Sequence, residues 1–414
     1  MLLFEEKSFI DGRINIIDIF SGCGGMTEGF LTNKYFRSIA SVEWSKPQVD
    51  TLRKRLGTKY NIKDVKDTVL HFDIQRIEEL FIGWSDDPVY GDGQGLVSVI
   101  NDRNIDVVVG GPPCQAYSLA RRDMEKKDGY NDYRNFLFEA YLEVVQKLKP
   151  TVCIFENVKG MLSKKVQNRS IVELIKRSFE DAGYTMCDDL AAQALFNVAD
   201  YGVPQNRERV IICAVLNEKM GKPKAKMLVN RFYSLMSTKK EPKKTVSEAI
   251  FDLPKLLPLP KVSGRSSHAR STDKVLNHTP RFHNQRDIDI FRLLATDLQS
   301  DNPQYLSIES LKQLYTKKTG KKTNVHKYYV LRPKEPSNTI PAHLKKDGLR
   351  HIHPDPKQAR TITIREAARL QSFPDDFEFI GGQGACYEMI GNAVPPLFAF
   401  KISECVETIL KELK

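Results

Sequence analysis

The chain is predicted to be an α/β protein: a doubly wound, mostly parallel sheet with a smaller, basic, loop-rich second domain. Three observations predict this. Strand and helix patterns alternate between 14 and 216, as in layered α/β folds. A glycine-rich turn, Ser21-Gly22-Cys23-Gly24-Gly25, follows the first apolar run. The positive charge is concentrated in one central block: residues 217–330 hold 23 Lys and Arg against 10 Asp and Glu, a net +13, while the whole chain carries +11.

The elements follow in order. Ile14–Phe20 is a short β-branched run and reads as a buried strand. The glycine turn then opens a helix near Thr27–Leu31. Ser38–Trp44 reads as a second strand, and Asp73-Ile74 as the end of a third, with Asp73 able to cap a helix over Ile74–Leu80. Asp106–Gly110 is a strand. Asn135–Leu148 has apolar residues at 137, 140, 141, 144, 145 and 148, a helical period. Thr151–Phe155 is a strand, Ile171–Ala182 a helix ended by Gly183, and Arg209–Leu216 a strand. After Asn217, prolines at 223, 242, 254, 258 and 260 and the Lys-rich run 239–244 read as linkers and loops. Regular patterning returns near Arg360, and Phe398–Leu413 reads as a closing helix. The expected division is 1–216, 217–385 and 386–414, the last segment returning to the first domain.

Composition narrows the function. With 414 residues, 41% of them hydrophobic, the chain can bury two cores. No stretch approaches the roughly 20 apolar residues of a membrane span. Met1–Lys7 lacks the basic and apolar regions of a secretory signal, so a cytoplasmic protein is expected. The seven cysteines are scattered, with no Cys-x-x-Cys pair, so neither a metal site nor a disulfide framework is expected. A basic block within an otherwise near-neutral chain points to a polyanion, most simply nucleic acid.

Residues 110–118, Gly-Gly-Pro-Pro-Cys-Gln-Ala-Tyr-Ser, carry the chemistry. A free cysteine is more often a packing residue. Here two glycines permit close approach and two prolines stiffen the arm that delivers Cys114 from a strand's carboxyl end. Such ends are where open α/β sheets bind ligands. At the other end, Glu43 lies 21 positions after Gly22 and can bind ribose hydroxyls. Phe20 and Trp44, at adjacent strand ends, could sandwich an adenine, and Asp73 could read its amino group. These features alone fit either a nicotinamide cofactor or S-adenosylmethionine.

Taken together, the blocks resemble the DNA (cytosine-5) methyltransferases, bacterial modification type, over nearly the whole chain. They occur in family order: Asp18–Phe30, Val42-Glu43-Trp44, Asp73-Ile74, Gly110–Ser118, Phe155-Glu156-Asn157-Val158, Gln205–Val210, Arg360–Phe377 and Gly391–Pro396. The resemblance implies a Rossmann-like catalytic domain that uses S-adenosylmethionine, and a target-recognition domain where the basic block lies. It implies Cys114 as nucleophile, Glu156 at N3 and the amine of cytosine, Arg209 at O2, and Arg207 in support. The expected cofactor-facing set is Phe20, Gly22, Gly24, Gly25, Glu43, Trp44, Asp73, Ile74, Pro113, Leu137, Asn392 and Ala393. Expected DNA contacts are Gln115, Ser118, Arg265, Arg270, Arg281, Lys317, Lys318, Thr319, Lys321 and Lys322. The Arg360–Glu366 stretch is expected to organise the recognition domain. Phe81–Asn104 is longer than compact family members need.

The resulting expectation is C5 methylation of cytosine at a short sequence in double-stranded DNA, the base being flipped out of the helix. A monomer is expected, with a cognate restriction endonuclease acting separately. The same chemistry on structured RNA, and an inactive DNA-binding relative, are the competing readings. A nicotinamide-dependent oxidoreductase would explain the glycine turn but not Cys114, Glu156 and Arg209.

Overall fold

The computed structural model describes residues 12–112, 137–166, 169–218, 220–264, 266–325 and 327–413. The chain forms two compact units. One comprises Met1–Tyr201, Arg207–Glu241 and Ala393–Lys414; the other comprises Gly202–Asn206 and Pro242–Asn392.

The first unit is built on one sheet. Its strands are β1 (Ile14–Ile19), β2 (Phe36–Glu43), β3 (Val69–His71), β4 (Val107–Gly110), β5 (Val152–Val158), β6 (Tyr184–Thr185), β7 (Leu195–Asn197) and β8 (Glu208–Leu216). Their order is β6-β8-β5-β4-β1-β2-β3, with β7 also on β8. From β3 to β5 all pairings are parallel. β8 enters antiparallel to its neighbours, so the sheet is mostly parallel. The chain winds outward from β1 through β2 to β3, then restarts on the other side at β4. The carboxyl ends of β1 and β4, where Ile19 pairs with Gly110, are therefore the switch point where such sheets bind ligands.

Burial explains why the inner strands are apolar runs rather than alternating patterns. Every residue of β1 and β4 is buried. Val49, Leu52 and Leu56 of the Lys46–Lys59 helix pack with Val69 of β3. Tyr141 of the Leu137–Leu148 helix places its hydroxyl 3.4 Å from both the Val108 and Ile154 carbonyl oxygens. The closing helix, Pro396–Lys411, is tied to the Gly25–Thr32 helix end by Asn33, whose Nδ2 donates to Glu407 Oε2 at 2.8 Å.

The stretch after Asn217 differs from the expected loops. Gly221–Thr238 is a helix that buries Ala225, Leu228, Val229, Phe232, Tyr233 and Met236. Pro223 falls in its first turn, where a missing N–H breaks no bond. Tyr233 fixes this helix to β8: its hydroxyl donates to the Ile211 carbonyl and accepts from the Cys213 N–H, both at 3.1 Å. The units thus divide after Glu241 and after Asn392, where the sequence pointed to 216 and 385.

The second unit has helices at Gln285–Leu298, Ile308–Thr319, Ile364–Leu370 and Gln383–Asn392, with long irregular connections. Ile288, Phe291, Leu294, Leu311, Leu314, Tyr328, Val330 and Ile352 form a core within it. Among the described residues, no helix is long and apolar enough to cross a membrane.

Candidate active site

The turn after β1 is set by backbone conformation. Phe20 has φ 61°, and Gly22 and Gly24 are also left-handed. A phenylalanine held there is strained, and such strain collects at ligand sites. Gly25 has a different reason to be glycine. A Cβ there would meet the Val394 carbonyl oxygen at 2.2 Å and Ala393 Cβ at 3.2 Å, so only glycine lets the start of this helix pack against residues 393–394.

Glu43 ends β2 and is buried. Its carboxylate accepts from the Gly22 and Ser45 N–H groups, each at 2.9 Å. That fixes the carboxylate beside the turn and leaves acceptor capacity for a ligand. Burial pushes its pKa up to about 7, with the three backbone hydrogen bonds of Ser45, Gly22 and Trp44 opposing the rise. Asp18, one strand over, is also raised to about 7 by burial, although the Thr27 hydroxyl donates to it at 2.6 Å. The motif block that contains Asp18 suggests no separate role for it. Its signal is a carboxylate near the end of a fully buried, mostly apolar strand, and the Thr27 bond shows that it braces this turn.

Trp44, next to Glu43, is 57% exposed. An indole left in solvent beside a pinned carboxylate suits a stacking surface for a nucleoside. The Trp44 carbonyl is held 3.0 Å from His71 Nε2 at the end of β3. Asp73 is half-buried and accepts from the Gln75 N–H at 3.0 Å, a local turn rather than a helix cap. Ile74 is buried. The donor set fits a nucleoside cofactor: an oriented carboxylate for ribose hydroxyls, an exposed indole and a strained aromatic at adjoining strand ends.

The other half of the site lies on β5 and β8. Register pairs Glu156 with Ile211 and Val158 with Arg209. Glu156 Oε1 lies 2.6 Å from Arg209 Nε, and both side chains are mostly buried. Gly111 adjoins them: a Cβ there would stand 2.7 Å from Glu156 Oε2. The glycine after β4 therefore lets the chain leading to Cys114 pass against the Glu156 carboxylate. Arg207 is fully buried and donates to the Ala393 carbonyl at 3.2 Å. Burial, and then the Arg209 charge, push its pKa down while Glu156 works against them. Gln205, two residues earlier, belongs to the second unit, where it bonds Gln371, the Leu370 carbonyl and the Ile340 N–H.

Glu43, Trp44, Asp73 and the turn thus gather at one end of the switch point, and Glu156 and Arg209 at the other. Leu137 is buried at the start of its helix, and Ala393 contributes a carbonyl to Arg207. Asn392 is exposed and belongs to the second unit. Pro113, Cys114, Gln115, Ser118 and Arg265 lie outside the described residues.

Of the expected DNA contacts in the second unit, Arg270, Lys317, Lys318, Lys321 and Lys322 are exposed. Thr319 spends its hydroxyl on the Tyr315 carbonyl at 2.7 Å. Arg281 is a correction. It is buried, donates to the Leu344 and Lys345 carbonyls, and lies 3.9 Å from the Tyr387 ring centroid. Both of its Nη atoms are held by backbone carbonyls within the fold.

A model of the C-5 cytosine-specific DNA methylase family matches residues 14–408. The chain is 31% identical, over an alignment 459 positions long, to the type II methyltransferase M.Bpa9945I of Bacillus paralicheniformis, covering 95% of this chain and 99% of the relative. It is 30% identical over 425 residues to the type II methyltransferase M.DdeI of Desulfomicrobium norvegicum, covering 94% and 88%. The crystal structure of S. pombe Dnmt2 methyltransferase is similar in fold, with a TM-score of 0.54 at 13% identity over 97% of this chain and 100% of that one. A match that spans β1 to the closing helix, on a sheet of this order, leaves one assignment: the chain belongs to the C-5 cytosine-specific DNA methylase family and is a DNA cytosine-5 methyltransferase.

Proposed function

We propose that this enzyme methylates C5 of a cytosine flipped out of a short double-stranded DNA sequence, using S-adenosylmethionine and covalent addition of Cys114. The observation that carries the reading is the Glu156–Arg209 pair, 2.6 Å apart, beside the Gly111 backbone that leads to Cys114. Carbon 5 of cytosine is a poor nucleophile. A Cys114 thiolate adding to C6 forms an S–C6 bond and moves the C5–C6 electron pair toward C5. Glu156 stabilises that addition by holding a proton at N3, and Arg209 orients Glu156 and meets O2. S-adenosylmethionine, when bound, supplies an electrophilic methyl. Loss of the C5 proton and expulsion of the Cys114 sulfur restore the ring and free the enzyme. Phe20, Glu43, Trp44 and Asp73 would hold the nucleoside end of the cofactor. The partner endonuclease of a restriction–modification pair acts as a separate protein in this reading.

Tritium transfer from labelled cofactor to duplex DNA and to transfer RNA, followed by bisulfite sequencing of the DNA, tests the proposal. Label in RNA alone would replace it with the RNA reading. No label in either would leave the inactive relative.

Glu43→Ala is expected to weaken S-adenosylhomocysteine binding by roughly 10- to 100-fold, the worth of a hydrogen bond to a charged group. Ligand hydroxyls donate to the ionised carboxylate, so affinity should tighten as pH rises through about 7. Calorimetry across that range checks both, and a Glu43→Gln variant should lose the pH dependence.

The exposed lysines 317, 318, 321 and 322 flank the end of the Ile308–Thr319 helix. If they touch phosphates, replacing all four with Ala should flatten the salt dependence of DNA affinity, by about 0.9 in log–log slope for each phosphate no longer neutralised. Fluorescence anisotropy over a salt series reads this, and an unchanged slope would remove them from the interface.

A further inference from the structure

The stretch Phe81–Asn104 is built onto the end of β3. Trp84–Asp87 and Gly91–Gly93 form an antiparallel hairpin. Trp84 stacks on Phe72 with ring centroids 3.9 Å apart. Arg76 lies 4.7 Å from the Phe72 ring centroid and pairs with Asp87 at 2.5 Å and with Glu79. These interactions fix the hairpin against β3 and leave its turn, residues 88–90, beside the strand ends that carry Glu43 and Asp73. Tyr90 in that turn is half-buried. Its ring stands 5.0 Å from the His71 ring and 5.2 Å from Phe72. His71 in turn holds the Trp44 carbonyl.

We propose that this hairpin is a wall of the nucleoside pocket, with Tyr90 as a further contact residue for the adenosine portion of the cofactor. The proposal rests on the cofactor reading above. Trp44 is mostly exposed, and Tyr90 is joined to it through His71, whose ring stands 5.0 Å from the Tyr90 ring and whose Nε2 lies 3.0 Å from the Trp44 carbonyl oxygen. Burial raises its phenol pKa, and Asp73 is the next contributor, with Asp87 and Glu43 adding to it and Arg76 opposing. The phenol therefore lies within electrostatic reach of the same two carboxylates that suit a ribose and an adenine amino group. His71, whose pKa burial lowers, backs the ring on its inner side. The arrangement makes the hairpin part of the binding surface rather than a remote decoration.

The test is calorimetric titration of the full chain with adenosine and with S-adenosylhomocysteine, for wild type, Tyr90→Ala and Tyr90→Phe. Tyr90→Ala should weaken both ligands by the same factor, roughly three- to tenfold, the worth of one aromatic contact. Tyr90→Phe should recover most of that loss, because the ring forms the wall. Thermal melts without ligand separate binding from folding. Affinity for both ligands equal to wild type in Tyr90→Ala would overturn the proposal, and so would a lowered melting temperature with affinity intact. Failure of the wild-type chain to bind S-adenosylhomocysteine would instead sink the cofactor reading on which the proposal rests.

Discussion

Cys114→Ser is expected to reduce methyl transfer by at least about 10⁴-fold, because a serine hydroxyl is not ionised near neutral pH and cannot add to C6. In the proposed mechanism the thiolate is the attacking species, and neighbouring positive charge would favour it. Arg209 is held near the end of this strand pair by its ion pair with Glu156. DNA and cofactor affinity should change little, since the substitution removes one sulfur and no phosphate contact. With S-adenosylmethionine present to methylate C5, duplex DNA carrying 5-fluorocytosine should form a denaturant-stable complex with wild type. The fluorine at C5 cannot leave as a proton does, so the S–C6 bond persists. Mass spectrometry of the digested complex should place the adduct on the peptide containing Cys114. Near-normal turnover by Cys114→Ser, or an adduct on another residue, would remove the covalent mechanism.

What the sequence reveals and what it conceals divide along physical lines. β1, β4 and β5 are legible because strands buried on both faces must be apolar runs, and they then locate the Phe20–Gly25 turn, Gly111 and Glu156. The register that brings Glu156 to Arg209 is not legible. It depends on β8 running antiparallel beside β5, and a strand's direction leaves no mark on its own residues. Gly221–Thr238 is hidden by Pro223, which looks like a breaker unless its place in the first helical turn is known. Arg281 looks like a DNA contact because charge counting cannot tell a guanidinium facing solvent from one facing carbonyls. Tyr90 carries no signal, since one aromatic in an excursion of unassigned length matches no motif.

The largest expected loss of stability comes from Glu366→Ala, about 3–5 kcal/mol, the cost of leaving one partner of a buried ion pair uncompensated. Arg360 and Glu366 are both fully buried and bond twice, at 2.6 Å each. Glu366 also accepts from the Thr363 N–H at 2.7 Å, while the Thr363 hydroxyl accepts the Glu366 N–H and caps the Ile364–Leu370 helix. The network continues outward. Arg360 donates to Gln358 Oε1, which also accepts the Leu256 N–H, and His278 bridges Thr363 to the Pro254 carbonyl. The network around this carboxylate therefore fastens residues 254–278 to residues 358–366. Burial pushes Glu366 up, but Arg360 more than offsets it and holds the group at about 2. A carboxylate with a depressed folded pKa stabilises fully above its usual range near 4.5, and the contribution fades as pH falls toward 2. Acid unfolding of wild type should show that loss, and Glu366→Gln should lack its share. Replacing Arg360 and Glu366 together with Met should cost much less than Glu366→Ala, because no buried charge is stranded. Denaturant titrations of the three variants measure this. A double variant as unstable as Glu366→Ala would mean that the network, rather than the unpaired charge, sets the cost.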